Sequence, residues 1–191
     1  MRLFDLTHPL GPETPVFPGD EPVRARTNAT LDADGFRTTR LELGTHSGTH
    51  VDAPAHLLPN GSTIDTLPLE LWVGPAVLLD AGDLGGPPLG AERLLLAGCP
   101  DGLTLTWARA LAASGVRLVG VEGPSVDLVD SRDLPCHRAL LGAGVALVEN
   151  LRLAGVPRGE GTLYCLPLAV GAGDGAPARV LWEPREGAAG S

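Results

Sequence analysis

The chain has 191 residues, 43% of them hydrophobic, which suits one domain with a sizeable core. Its formal net charge of −9 comes without a basic stripe, and no apolar run is long enough to span a bilayer, so neither nucleic-acid binding nor membrane insertion is expected. All 14 basic residues are arginine, which excludes Schiff-base catalysis and a P-loop lysine.

Short apolar runs recur along the chain and predict strands. In chain order they lie at 2–6, 40–43, 76–80, 93–97, 117–121, 145–149, 162–166 and 179–182. Several are apolar on both faces, which predicts a sheet that is covered on both sides. The fold class is therefore α/β, with more strand than helix.

Few segments have a helical pattern. The clearest predicts a helix over Leu105–Ala113, with Thr104 or Thr106 as N-cap and Gly115 just past its end. A shorter helix is predicted over 135–141, capped near Asp133 and stopped by Gly142. Residues 65–72 are expected to form one or two turns.

We expect a single domain over residues 1–183 and a frayed polar tail over 184–191, because no internal linker divides the chain. Cys99, Cys136 and Cys165 are widely spaced and odd in number, which argues against a disulfide framework. The first residues lack the apolar region of a signal peptide. These features predict a cytoplasmic protein with reduced thiols.

Residues 46–56 contain three of the five histidines and one aspartate. Imidazole and carboxylate are the usual ligands of divalent metals, and a segment rich in glycine and threonine is poorly suited to a hydrophobic core. Glycine and proline disfavour a helix here, so we predict an extended strand in which His46, His50 and Asp52 project from one face. A bulge at a glycine in this stretch would break that alternation.

Two histidines and one aspartate supply three ligands and leave one position open, the pattern of a catalytic metal site. The two oxygens of Asp52 allow it to bridge to a second ion. His56 lies beyond Pro54, where the chain is expected to turn, and is either a fourth ligand or a free imidazole that moves protons. The alternative, a set of hydrogen-bonded surface histidines, is disfavoured by the density of histidine.

The other two histidines carry weaker signals. His8 precedes Pro9 and is best interpreted as a loop or surface histidine. His137 lies near the start of the short predicted helix, and Glu149 ends an apolar run, where α/β sheets place their ligands. Residue type and position alone leave His137 and Glu149 open between a site and a solvent-exposed position.

The histidine segment also resembles a family signature. His46-Ser-Gly-Thr-His-Val-Asp-Ala-Pro-Ala-His56 is similar to the HxGTHxDxPxH motif of the metal-dependent cyclase family, whose best-known members are bacterial kynurenine formamidases. Further similar segments follow the order of the family and cover most of the chain; they lie at 5–10, 14–20, 123–127, 134–141, 148–153, 166–168 and 175–180.

The resemblance implies a swivelling β/β/α cyclase-like domain with a mixed sheet and few helices, usually a homodimer. It implies two divalent ions, commonly zinc, with manganese as the alternative. The implied ligands are His46, His50 and Asp52 for one ion, and Asp52, His137 and Glu149 for the other. His56 would be the general acid/base. A metal-bound hydroxide would attack the carbonyl of an aryl formamide such as N-formylkynurenine, a reaction of tryptophan catabolism.

Departures from the formamidase pattern leave the substrate open. Thr49 and Leu57 stand where alanine and tyrosine are more common, and Asn150 where glycine is common. Aromatic residues are only 4% of the chain, and Phe17 is the candidate for stacking on a substrate ring, although such residues more often lie in the core. The alternatives are a lactam or ester hydrolase similar to the isatin hydrolases, a cyclase, and a metal-binding protein without catalysis.

Overall fold

The computed structural model of the protein describes residues 2–83 and 90–185. The strands and helices in these ranges are β1 (Phe4–Asp5), β2 (Arg24–Ala29), α1 (Leu31–Asp34), β3 (Thr38–Glu42), β4 (His50–Asp52), β5 (Val73–Asp80), β6 (Arg93–Ala97), α2 (Leu105–Ala113), β7 (Leu118–Val121), α3 (Pro135–Gly142), β8 (Ala146–Glu149), β9 (Gly159–Pro167) and β10 (Gly175–Pro184). Single 3-10 turns lie at Pro54–His56, Ile64–Thr66, Leu69–Leu71 and Ala81–Asp83.

The main sheet closes into a barrel. Its strand order is β10-β4-β8-β7-β6-β5-β9, and β9 pairs back onto β10. The four strands β5 to β8 run parallel to one another, whereas the pairings of β4, β9 and β10 are antiparallel. β1 adds to β10, and β2 and β3 form a separate hairpin. Because β7 and β8 are parallel, their carboxyl ends meet at one edge of the barrel, where α/β sheets place their sites.

The barrel is covered on both faces, as predicted from its doubly apolar strands. Along β6, which is buried throughout, Leu95 belongs to a cluster that includes Trp182, whereas Leu94 belongs to a second cluster with Leu111 of α2 and Leu140 of α3. The first cluster fills the barrel and the second lies between the sheet and the helices. Burying one such leucine stabilises the fold by roughly 1.5–3 kcal/mol.

Most predicted elements are confirmed, with bounds shifted by a few residues. α2 has the predicted bounds, and Thr104 caps it by accepting a hydrogen bond from the Trp107 backbone N–H. The cap near Asp133 is wrong, because Leu134 occupies the cap position of α3 with a φ of 45° and no side-chain cap bond. β2 was not predicted, since its residues are mostly exposed and lack an apolar pattern.

The last strand ends close to the expected carboxyl-terminal boundary of the domain. β10 continues to Pro184, and the backbone N–H of Arg185 donates to the Glu160 carbonyl at 2.9 Å. The rest of the predicted tail, residues 186–191, lies outside the described residues. Within the described ranges, no helix has the length and apolar character needed to cross a membrane.

Candidate metal centre

The histidine segment folds as a turn followed by a short strand. Residues 45–49 form turns and bends in which Gly48 has a φ of 63°, and β4 begins only after them. The predicted single strand from His46 to Asp52 is therefore wrong, because a left-handed glycine breaks the alternation of faces. Within β4, His50 and Asp52 are two residues apart and project from the same face, as predicted.

The pairing of β4 with β8 places His50 directly opposite Glu149. His50 Nε2 lies 3.3 Å from Asp52 Oδ1 and 3.5 Å from Glu149 Oε2. From α3, His137 Nε2 approaches the same carboxylates, at 3.2 Å from Glu149 Oε1 and 3.3 Å from Asp52 Oδ2. All four side chains are buried, so two imidazole nitrogens and two carboxylates converge on one enclosed point.

Two further histidines lie on the open side of this cluster. His46 Nδ1 is 2.7 Å from Asp52 Oδ1, and the His46 and His56 rings are 4.2 Å apart between centroids. Asp174, in the turn before β10, contacts both rings: its Oδ2 is 2.9 Å from His46 Nε2 and 3.6 Å from His56 Nδ1. The His56 side chain is 26% exposed, which makes it the most accessible of these four histidines.

Asp127 orients His137 through the ring nitrogen that does not face the buried carboxylates. Its Oδ2 accepts from His137 Nδ1–H at 2.7 Å and from the His137 backbone N–H at 2.9 Å, and its Oδ1 accepts from the Cys136 backbone N–H at 2.8 Å. Asp127 thus caps α3, where Asp133 had been predicted. Because Nδ1 donates to Asp127, Nε2 is the nitrogen that faces the buried carboxylates, an arrangement typical of metal-binding histidines.

The same arrangement occurs at His50, whose Nδ1–H donates to the Gly48 carbonyl at 2.8 Å. Burial lowers the pKa of His50, but hydrogen bonds to Asp52 and Glu149 outweigh burial and raise the pKa to about 10. Burial likewise opposes the charged form of His137, yet Asp127 and the same two carboxylates raise its pKa to about 12. Without a metal, the cluster therefore holds protons where a cation would otherwise bind.

His56 differs from the other site histidines. Burial lowers its pKa, and the adjacent His46 and His137 lower it further, against the attraction of Asp52. His56 is therefore neutral at neutral pH and is able to accept a proton.

Asp52 provides the test of whether a metal fits. Its Oδ2 is the one buried side-chain polar atom in the described ranges without an assigned hydrogen-bond partner, and the nitrogen that approaches it is His137 Nε2, at 3.3 Å. An orphaned buried carboxylate oxygen is costly unless a cation neutralises it. Asp52 also belongs to both groups of potential ligands that lie within 4.8 Å of one another, His46–Asp52–His56 and His50–Asp52–Glu149. The residues present therefore fit a site for divalent metal ions.

The remaining sequence candidates lie outside the cluster. Phe17 is half-buried in the amino-terminal loop, and the nearby Pro15 carbonyl accepts from the Gly48 backbone N–H at 2.9 Å. His8 lines a different crevice, together with Leu166. All three cysteines are buried and free.

Sequence reasoning missed Asp127 and Asp174. Asp127 lies in the loop beyond the end of β7 at Val121, and the rule that placed Glu149 at the end of β8 would have selected Glu122, which follows β7 directly. Asp174 is half-exposed in a glycine-rich turn, 128 residues from His46, and no periodic pattern connects the two.

Comparison with solved structures defines the class of the protein. The predicted metal-dependent hydrolase from Bacillus stearothermophilus is 27% identical with a TM-score of 0.82, covering 96% of this chain and 98% of the other. Isatin hydrolase A from Labrenzia aggregata is 26% identical with a TM-score of 0.79, covering 95% and 93%. The protein has the cyclase-like hydrolase fold, as its sequence predicted.

Sequence comparison defines the family. A family model described as a putative cyclase matches residues 4–97. The kynurenine formamidase of Salinibacter ruber is 39% identical over 209 aligned residues, which span 95% of this chain and 97% of the relative. The chain therefore belongs to the cyclase family, and it is an enzyme of the amidohydrolase type.

Proposed function

We propose that the protein hydrolyses an aryl formamide of the N-formylkynurenine type at a two-ion site, with zinc or manganese as the metal. The observation that carries the proposal is the buried convergence of His50, His137, Asp52 and Glu149 in a chain that matches a kynurenine formamidase along nearly its whole length. The proposal includes a role in tryptophan catabolism, a cytoplasmic location and a homodimeric assembly.

The two ions would share Asp52. The proposed ligands are His46, His50 and Asp52 for one ion, and Asp52, His137 and Glu149 for the other. Divalent cations in these positions would act as Lewis acids towards the substrate carbonyl and would acidify a water molecule. Asp127 and the Gly48 carbonyl would keep the histidine ligands in the required orientation and tautomer.

His56 would move the proton in this reaction. Because its pKa is lowered, its neutral ring accepts a proton as the water oxygen adds to the formyl carbon. The C–N bond then breaks with its electron pair on nitrogen, and His56 returns the proton to that nitrogen. The products are the free arylamine and formic acid, which releases its proton to solvent and becomes formate at neutral pH. Asp174 Oδ2, 3.6 Å from His56 Nδ1, would orient the ring.

A substitution at His56 tests catalysis separately from metal binding. His56→Ala should retain the metal content of the wild type, while kcat for N-formylkynurenine falls roughly 10²–10⁴-fold because a general acid/base is lost. His8→Ala is the matched control and should retain activity, because the substitution removes an imidazole outside the cluster and keeps the backbone N–H that donates to Thr49 Oγ1 at 3.0 Å. A metal-replete wild type without turnover on any amide, lactam or ester would instead support a metal-binding protein without catalysis.

A second candidate is lactam hydrolysis of the isatin type, favoured by the likeness to isatin hydrolase A. Chelator-treated protein reloaded with Zn²⁺ or Mn²⁺ should be assayed on N-formylkynurenine, formanilide and isatin. The formamidase proposal expects the highest kcat/KM on the formamides and loss of activity in the chelated sample. A higher kcat/KM on isatin would identify a lactam instead of a formamide as the substrate and would leave the assignment of the metal ligands unchanged.

A further inference from the structure

Thr49 and Asn150, which lie beside His50 and Glu149 in the chain, join two segments of the site through two hydrogen bonds. Thr49 Oγ1 donates to the Asn150 carbonyl at 2.6 Å, and Asn150 Nδ2 donates to the Gly48 carbonyl at 3.1 Å. The two residues are 1% and 5% exposed, so both bonds are shielded from water. They connect the turn before β4 to the end of β8, and therefore connect the two halves of the candidate site.

The Gly48 carbonyl is the point at which this link reaches the site. The same oxygen accepts from Asn150 Nδ2 at 3.1 Å and from His50 Nδ1 at 2.8 Å. A carbonyl oxygen has two lone pairs and accommodates both donors. Any movement of this oxygen would alter the direction in which His50 Nε2 points.

The backbone conformation at Asn150 accommodates asparagine but does not require its side chain. Asn150 has a φ of 56°, a left-handed conformation that glycine would adopt without strain. A buried amide, in contrast, has to be satisfied by hydrogen bonds. The Asn150 side chain therefore contributes its bond to Gly48 beyond what the turn requires.

We propose that Thr49 and Asn150 are paired positioning residues that hold the Gly48 carbonyl and thereby direct His50 towards the metal. Thr49 fixes the main chain of Asn150, and Asn150 fixes the carbonyl. The inference rests on the proposed metal centre. It also joins two of the departures from the formamidase pattern into one structural unit.

Zinc affinity is the test. The variants are Thr49→Val, which removes the hydroxyl at constant shape, Asn150→Gly, which keeps the turn, and the double variant. Competition between the protein and a chromophoric chelator gives the dissociation constant for Zn²⁺. Each single variant should weaken binding roughly 10-fold or more, as is typical for partners of metal ligands. The double variant should be little weaker than the worse single variant, because both act on one carbonyl.

Two controls separate positioning from general stability. Thr7→Val removes a hydroxyl that donates to the Val180 carbonyl and accepts from the Val180 N–H, so it costs similar bonds away from the cluster. Thr49→Ser keeps the hydroxyl and should restore zinc affinity to within about threefold of the wild type. Thermal unfolding of each metal-free variant is measured in parallel.

The outcomes are distinct. Lower melting temperatures with unchanged zinc affinity, or an equal loss of affinity in Thr7→Val, would show a structural role and overturn the inference. Fully additive losses in the double variant would overturn the pairing. A wild type that binds neither Zn²⁺ nor Mn²⁺ would overturn the proposed function as well, whereas normal metal binding in all variants overturns only this inference.

Discussion

Two substitutions at Asp127 should separate its contribution to fold stability from its contribution to metal binding. Its carboxylate accepts three hydrogen bonds, two from the first turn of α3 and one from the His137 ring. Asp127→Ala removes all three. Asp127→Asn keeps one acceptor oxygen and replaces the other with an NH₂ group, so the two variants should have different effects.

The expected cost of Asp127→Ala follows from these bonds. Loss of a helix cap costs about 1–2 kcal/mol, and a buried ring N–H without an acceptor costs about 1–3 kcal/mol. The metal-free protein should therefore lose roughly 2–5 kcal/mol of unfolding free energy.

Asp127→Asn should cost less stability but still impair metal binding. The asparagine amide has two orientations. If its oxygen faces His137, its NH₂ group faces the Cys136 N–H, so two donors meet. If its NH₂ group faces His137, the amide favours the His137 tautomer that carries its proton on Nε2. That tautomer presents a proton to the metal instead of a lone pair. We expect zinc affinity to fall roughly 10–100-fold, which corresponds to about 1.4–2.8 kcal/mol.

Urea unfolding of the metal-free proteins and chelator competition for Zn²⁺ measure the two quantities independently. Asp80→Asn is the control, because it removes a carboxylate that pairs with Arg158 on the surface and should change stability by no more than about 1 kcal/mol. If Asp127→Asn binds Zn²⁺ as tightly as the wild type, the proposed orientation of His137 by Asp127 is refuted.

Three further predictions concern the same region. Because the pKa of His50 is raised, its protonation stabilises the metal-free fold fully below pH 6.5, and this stabilisation is lost as the pH rises towards about 10. A bound metal displaces these protons, so the gain in melting temperature on adding Mn²⁺ should grow between pH 6.5 and 8.5. A gain that is constant with pH would contradict this prediction. Asp174→Asn should lower kcat at least ~10-fold with little change in melting temperature, since Asp174 is 45% exposed; unchanged kinetics would remove it from the mechanism. In Gly175→Ala, the added Cβ would lie 2.6 Å from the Val51 carbonyl oxygen. Urea unfolding should therefore show that the free energy of unfolding falls by roughly 1–3 kcal/mol. The control is Gly171→Ala, in which the added Cβ meets no atom within 4 Å.

The sequence was a sufficient guide where local pattern determines structure. β6 is apolar on both faces and α2 begins at a threonine cap, so both were predicted with their observed bounds. Apolar runs on opposite faces also predicted the two clusters that cover the sheet. Each of these features depends on residues that are neighbours in the chain.

Features that depend on distant contacts were not predictable in this way. The closure of the barrel requires β9 to pair with both β5 and β10, which no local pattern specifies. The cap of α3 comes from Asp127, ten residues before His137, so a search for a cap beside the helix selected Asp133. The position of His46 depends on the left-handed conformation of Gly48, which the alternation rule does not include.

The register between β4 and β8 links the site to the core of the barrel. His50 pairs with Glu149 and Val51 with Val148, and both valines lie in the cluster that fills the barrel. Side chains alternate along a strand, so a slip of one residue would turn Val51 towards the polar site and the histidine into the apolar interior. Burial of a charged group without its partners costs several kcal/mol, so the alternative register is strongly disfavoured. The packing that closes the barrel therefore also determines that the ligands from β4 and β8 meet.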